Sequence, residues 1–206
     1  MIFKSYLIEK NLTELQKFKA VLLYGENDGL KDNLKQKLKI MRNQTEIINF
    51  FQDEIIKNKD LLLNEVNNSS LFSSNRTFFI HEATDKIFEK IQEIVENRNA
   101  EDKIIILSNI LDKKSKLRNF FETNKDTICI PCYLDNEKDL SIIAHQELKK
   151  NNIILSQEVI NLLIEKSNSD RNNLRNEIDK IHAYSLNKKK ISLDNIKSLI
   201  NTFFFI

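Results

Sequence analysis

Lys19-Ala20-Val21-Leu22-Leu23-Tyr24-Gly25-Glu26-Asn27-Asp28-Gly29-Leu30-Lys31-Asp32 opens as an apolar run and breaks at a glycine. It then continues as a helix with Leu30, Leu34, Leu38 and Met41 on one face. Gly25 and Gly29 are the chain's only 2 glycines. A buried strand, a glycine turn and an amphipathic helix form the frame of a phosphate-binding loop. A working loop reads G-x-x-x-x-G-K-[S/T]: backbone amides wrap the phosphates, the lysine reaches the outer ones and the hydroxyl holds Mg²⁺. Here the second glycine arrives one residue early, and Asp32 stands in the hydroxyl position, where its charge repels a phosphate. The stretch predicts a P-loop type of scaffold without intact ATP-binding chemistry.

Outward from this loop, apolar runs alternate with amphipathic segments. Strands are expected at Val21–Tyr24, Glu46–Phe51, Thr77–His81, Lys103–Leu107 and Ile128–Tyr133. Helices are expected over Glu54–Val66 and Ile87–Val95 and from Lys116 to Phe121. Continuous apolar strands separated by such helices imply a parallel sheet covered on both faces. The fourth strand ends in Ser108-Asn109, where an ATPase needs the acids that hold Mg²⁺ and orient water. This is a second departure from ATPase chemistry.

From about residue 139 the strands stop. Leu140, Ile143, Ala144 and Leu148 share one helical face, and Ser156, Asp170 and Ser192 are candidate N-caps for three further helices. The expected domains are therefore an α/β domain over residues 1–138 and a small helical lid over 139–206. An α/β nucleotide-type core followed by a helical lid is the AAA+ arrangement. The chain closes on Phe203-Phe204-Phe205-Ile206, an apolar ending that suggests a fragment of a longer protein.

Composition narrows the function. Lys+Arg number 32 and Asp+Glu 30, a formal net charge of +2. That balance does not announce a nucleic-acid binder, although a local patch remains open. The densest basic cluster, Lys113, Lys114, Lys116 and Arg118, is a candidate for phosphate or DNA contact and equally reads as a solvated helix start. No secretory signal or membrane span is visible, so the expected compartment is the cytoplasm, with no membrane partner. Cys129-Ile130-Pro131-Cys132 has redox spacing, yet it lies in a β-branched, apolar strand. A reactive pair opens a helix, and one pair gives only half the ligands of a structural zinc. His81-Glu82-Ala83-Thr84-Asp85 lacks the second histidine of a zinc-protease motif. No metal and no cofactor are expected.

Four segments, in order and spacing, resemble the delta subunit of the bacterial DNA polymerase III clamp loader. They are Leu22 to Gly29, Ser70-Leu71-Phe72-Ser73-Ser74-Asn75-Arg76-Thr77-Phe78-Phe79-Ile80, Leu111-Asp112-Lys113-Lys114-Ser115-Lys116-Leu117-Arg118, and Ser169 to Ile181 followed by Tyr184. The resemblance covers residues from about 18 to 202. It implies an AAA+-like domain with a degenerate phosphate loop (Gly25, Gly29, Lys31) and a helical lid. The family's C-terminal collar domain, which joins the other loader subunits, is absent from this chain.

The resemblance further implies a clamp-loader subunit that binds and opens the sliding clamp for loading onto primed DNA. Such a subunit is not an enzyme by itself but a component of the DNA-directed DNA polymerase (nucleotidyltransferase) holoenzyme. The family's clamp-plugging pair maps onto Leu71 and Phe72, flanked by Ser70 and Ser73. Read locally, an apolar pair near helix ends packs into its own core. Read through the resemblance, it is an anchor on a polar loop. Arg171 and Arg175 lie where related ATPases set an arginine against ATP; with the loop broken, Glu177, Asp179 or other local acids are their expected partners. The alternative readings are an AAA+-type ATP-binding protein with a divergent loop, or a thiol oxidoreductase.

Overall fold

The structure, a computed structural model, describes residues 1–42, 45–67, 76–96, 102–186 and 193–201. It divides into two compact units, Met1–Tyr133 and Leu134–Ile206.

The first unit is built on a parallel five-stranded sheet: β1 (Ala20–Tyr24), β2 (Glu46–Phe51), β3 (Arg76–His81), β4 (Lys103–Ser108) and β5 (Thr127–Pro131). The order across the sheet is β2-β3-β4-β1-β5, so β1 lies between β4 and β5. Leu22 pairs with Ile106 on one side and Cys129 on the other. Because side chains alternate along a strand, the apolar runs feed two cores. Leu22, Phe78, Ile80, Ile104, Ile106 and Cys129 face one way. Val21, Leu23, Phe79, Ile105, Ile128 and Ile130 face the other.

Helix α1 (Ser5–Lys10), a 3₁₀ turn at Leu12–Lys17 and α2 (Asp28–Met41) cover the second face through Ile8, Leu15, Leu30, Leu34 and Leu38. The first face is covered by α3 (Gln52–Lys57), α4 (Leu61–Asn67), α5 (Phe88–Glu96) and α6 (Lys116–Thr123), through Ile55, Leu62, Ile91, Leu117 and Phe121. The sandwich is the α/β core read from the sequence.

Four local expectations need correction. The segment Glu54–Val66 is not one helix but α3 and α4, separated at Asn58-Lys59-Asp60, where the Asn58 side chain accepts the Asp60 amide at 3.3 Å. That local bond competes with helix continuation. Strand β2 is an edge strand: Ile47 and Phe51 are exposed, and Phe50 is its buried residue. The last strand stops at Pro131, before Tyr133. The N-terminal helical elements were not expected from the sequence; Lys103 ties them to the sheet by donating from Nζ to the carbonyls of Leu15 (2.7 Å), Gln16 and Phe18.

The second unit is helical: α7 (Glu137–Lys150), α8 (Gln157–Lys166), α9 (Arg171–Leu186) and α10 (Leu193–Asn201). Leu140, Ala144, Leu148, Leu163, Leu174, Ile178, Ile181 and Ile196 form its core. Asp170 caps α9, accepting from the amides of Asn172 and Asn173. Ser156 occupies the N-cap of α8 without a side-chain bond, and Ser192 lies outside the described residues. Among the described residues, no helix is long and apolar enough to cross a membrane.

Two positions generate measurable expectations. Gly25 has φ +131°, and a Cβ there would overlap the Cys132 carbonyl oxygen. Gly25→Ala is expected to lower the unfolding free energy by roughly 3 kcal/mol or more, read by thermal or denaturant melting. Burial pushes the Cys129 thiol up to about 12 from its ordinary 9.0. A thiol raised in the folded state contributes stability that is complete below pH 9.0 and lost as pH climbs toward 12. Native Cys129 should therefore resist alkylation at neutral pH and react on unfolding, and Cys129→Ala should soften the alkaline loss of stability.

Candidate functional site

Only Gly25, Glu26 and Asn27 separate β1 from α2. So short a connection must be tied down by its own bonds. Asn27 caps α2, its Oδ1 accepting the Leu30 amide at 2.9 Å, while its Nδ2 donates to the Tyr133 carbonyl at 2.9 Å. The Asn27 amide donates to the Cys132 carbonyl and the Gly25 amide to the Asn109 carbonyl. The amides of Asp28 and Lys31 donate to Glu26 and Asn27. A phosphate loop works by leaving such amides free to converge on an anion. Here those of Gly25, Asn27, Asp28, Leu30 and Lys31 donate within the chain.

Gly29 lies in the first turn of α2. Lys31 keeps the lysine's distance from Gly25, yet its side chain is folded inward, with 5% of the residue exposed. Its Nζ donates to the Gly25 carbonyl (2.8 Å) and the Ser108 carbonyl (3.0 Å) and pairs with Asp28 (2.8 Å). The Ser108 hydroxyl donates to the Ala83 carbonyl at 2.6 Å. Loop, lysine and the end of β4 thus hold one another.

Beside them, at the C-terminal ends of the strands where open α/β sheets bind ligands, lies a cleft of about 440 Å³. Asp28, Asp32 and Glu82 line it with Lys31, Lys35 and His81. Carboxylates outnumber the ammonium groups there, a poor field for a polyphosphate. His81 bonds Asn49 through Nε2 at 3.0 Å and stacks on Phe51. Among the described residues there is no group of three or more His, Cys, Asp or Glu that could hold a metal ion.

The basic cluster separates into two parts. Lys113, Lys114 and Lys116 are exposed. Arg118 turns inward: Nε bonds Glu122 at 2.6 Å, Nη1 donates to the Leu111 carbonyl, and the guanidinium lies 5.0 Å from the Tyr24 ring centre. The N-terminus of α6 next to them is filled by Asp85, which accepts from Ser115 Oγ and the amides of Lys116 and Leu117. Burial pushes the Asp85 carboxyl upward, but those bonds prevail and hold it below the ordinary range.

In the helical unit Arg171 is buried against Asp135, with Nε to Oδ2 at 2.7 Å and a second bond from Nη2 to Oδ1. Arg175 pairs with Glu147 at 3.1 Å. Both arginines are held by acids, though not by Glu177 or Asp179. Cys129 and Cys132 are buried and unbridged, and a raised thiol pKa is the opposite of what a redox pair needs.

Ser70, Leu71, Phe72 and Ser73 lie outside the described residues. Their flanks are described: α4 ends at Asn67 and β3 begins at Arg76. Sequence reasoning missed what joins those flanks. Arg76, 7% exposed, donates to the carbonyls of Glu65 (2.8 Å) and Val66 (2.9 Å) and to Asp102 (2.8 Å). The available signal was an arginine opening an otherwise apolar strand.

No protein-family model matches the chain. A protein of Rickettsia prowazekii (strain Madrid E) named "Probable DNA polymerase III subunit delta" is 23% identical over 186 residues, 90% of this chain and 57% of that protein. Among solved structures, the Bacillus subtilis DNA clamp loader delta protein (YqeN) matches with TM-score 0.60 and 14% identity, over 95% of this chain and 62% of its own. Domain III of the Thermotoga maritima replication initiation protein DnaA matches with TM-score 0.58 and 14% identity, over 98% and 90%. The Thermotoga maritima RuvB branch migration motor gives 0.64 and 13%, over 96% and 68%. These neighbours share the AAA+ fold. The chain spans 57% of the Rickettsia protein and 62% of the Bacillus one. In sequence and in fold, it resembles the delta subunit of the bacterial DNA polymerase III clamp loader.

Proposed function

We propose that this chain is the AAA+-like part of a clamp-loader delta subunit, which grips the sliding clamp and helps open it for loading onto primed DNA. The observation that carries the reading is the co-linear match to a delta subunit over 90% of the chain. Leu71 and Phe72 are the anchor, with Ser70 and Ser73 framing them. A large apolar pair in a polar segment suits this role, because a few buried aromatic and aliphatic groups dominate interface energy. Burying both contributes roughly 3–6 kcal/mol before association costs.

The subunit is non-catalytic and needs no cofactor of its own. Support comes from the phosphate loop, whose amides and lysine are engaged internally, and from Ser108-Asn109 at the end of β4. ATP bound by sister subunits supplies the energy in the assembled loader, and a collar domain outside this chain makes most of the contacts to them. Lys113, Lys114 and Lys116 are the side chains best placed for DNA; Arg118 is committed inward. The work belongs to the cytoplasm, with no membrane partner.

Binding of the chain to the sliding clamp of the same organism tests the anchor. Wild type should bind, and Leu71→Ala/Phe72→Ala should lose about 100-fold or more in affinity while keeping its circular dichroism. Equal binding by both, or none at tens of micromolar, contradicts the reading.

A nucleotide titration tests the divergent-loop ATPase alternative, which the cleft beside Lys31 and Lys35 keeps worth examining. Lys31→Ala should cost about 2 kcal/mol of stability through its two carbonyl bonds and leave ATP affinity negligible in both proteins. Submillimolar ATP binding that disappears in Lys31→Ala would establish the alternative.

A further inference from the structure

Arg76 occupies an unusual place for an arginine. It opens β3, the second strand of a parallel sheet, with its guanidinium inside the fold and its plane 5.0 Å from the Phe78 ring centre. Burying a charge there is costly unless every donor finds a partner. The partners share one feature: all flank the same stretch of chain. Nη1 and Nη2 reach the carbonyls of Glu65 and Val66, in the last turn of α4, where a helix leaves carbonyls without internal donors. Nη2 also bonds Asp102 Oδ2, and Asp102 Oδ1 accepts the Arg76 amide at 2.8 Å. Asp102 immediately precedes β4. One planar fork therefore joins the end of α4, the start of β3 and the start of β4.

We propose that Arg76 is a positioning residue for the segment it closes, residues 68–75, fixing the two flanks from which Leu71 and Phe72 are presented. This rests on the reading of Leu71 and Phe72 as the clamp anchor. The physical gain is pre-organisation. A short segment whose ends are already held together loses less conformational freedom when a partner captures its centre. Asp102 completes the device by orienting the guanidinium and neutralising it. Lysine cannot replace it, because a single ammonium lacks the fixed fork that serves a carboxylate and two carbonyls at once.

The test compares wild type, Arg76→Lys and Asp102→Asn in the whole chain, by hydrogen–deuterium exchange and by affinity for the sliding clamp. In both variants, peptides spanning residues 64–78 should exchange at least about tenfold faster than in wild type, while peptides from β1 and α9 keep wild-type rates. Clamp affinity should fall about tenfold, with Arg76→Lys at least as affected as Asp102→Asn. Unchanged exchange across 64–78 overturns the proposal. So does loss of protection spread evenly over the chain, which would make Arg76 a general stabiliser. Wild type that fails to bind the clamp would defeat the anchor reading, yet the exchange measurement would still decide whether Arg76 fixes the flanks.

Discussion

Complete burial of β1 is the constraint on which the first unit depends. Ala20 to Leu23 are 0% exposed, with β4 and β5 on either side and a helical layer on each face. A strand so enclosed has one exit, past its C-terminal end, and the chain must turn at once to lay α2 over the sheet. Gly25 makes that turn with a positive φ and no room for a side chain against Cys132. Asn27 then starts the helix. The shortness of the turn consumes its amides, and Lys31 is drawn under it to satisfy the Gly25 and Ser108 carbonyls. The geometry that a nucleotide-binding relative would use to hold phosphate is here used to hold the fold.

That exchange has a functional corollary. A fold whose nucleotide elements are engaged in its own stability can keep the AAA+ shape as a frame for protein contacts. Arg171 shows the same economy in the helical unit: an arginine from the lid helix is bound to Asp135 in a buried pair. Neither feature needs ATP. Both keep the elements of an AAA+ subunit in place for partners that do the nucleotide chemistry, which is the division of labour proposed for this chain.

Much of this was legible in the sequence because the signals were strong and local. The run Val21–Tyr24 with Gly25, the apolar run from Lys103 to Leu107, and the Leu30-Leu34-Leu38 stripe each admit one reading. Weaker signals misled. Ile55 and Leu62 stay on one apolar face across Asn58-Lys59-Asp60, so the break between α3 and α4 is invisible until the Asn58 turn is seen. Strand β2 is apolar enough to look central, and only the pairing order reveals an edge. The contacts that organise the candidate site are long-range. Asp85 capping α6, Arg76 reaching Asp102 and Asn27 reaching Tyr133 join residues far apart in the chain, with no periodicity to announce them.

The most direct test of the central claim is calorimetric titration of this chain with the sliding clamp, carried out with and without Mg-ATP. A protein-binding subunit whose phosphate loop serves the fold should bind with the same affinity and the same heat in both. Binding that appears only with ATP, or tightens by tenfold or more in its presence, would contradict the account and return the loop to nucleotide chemistry.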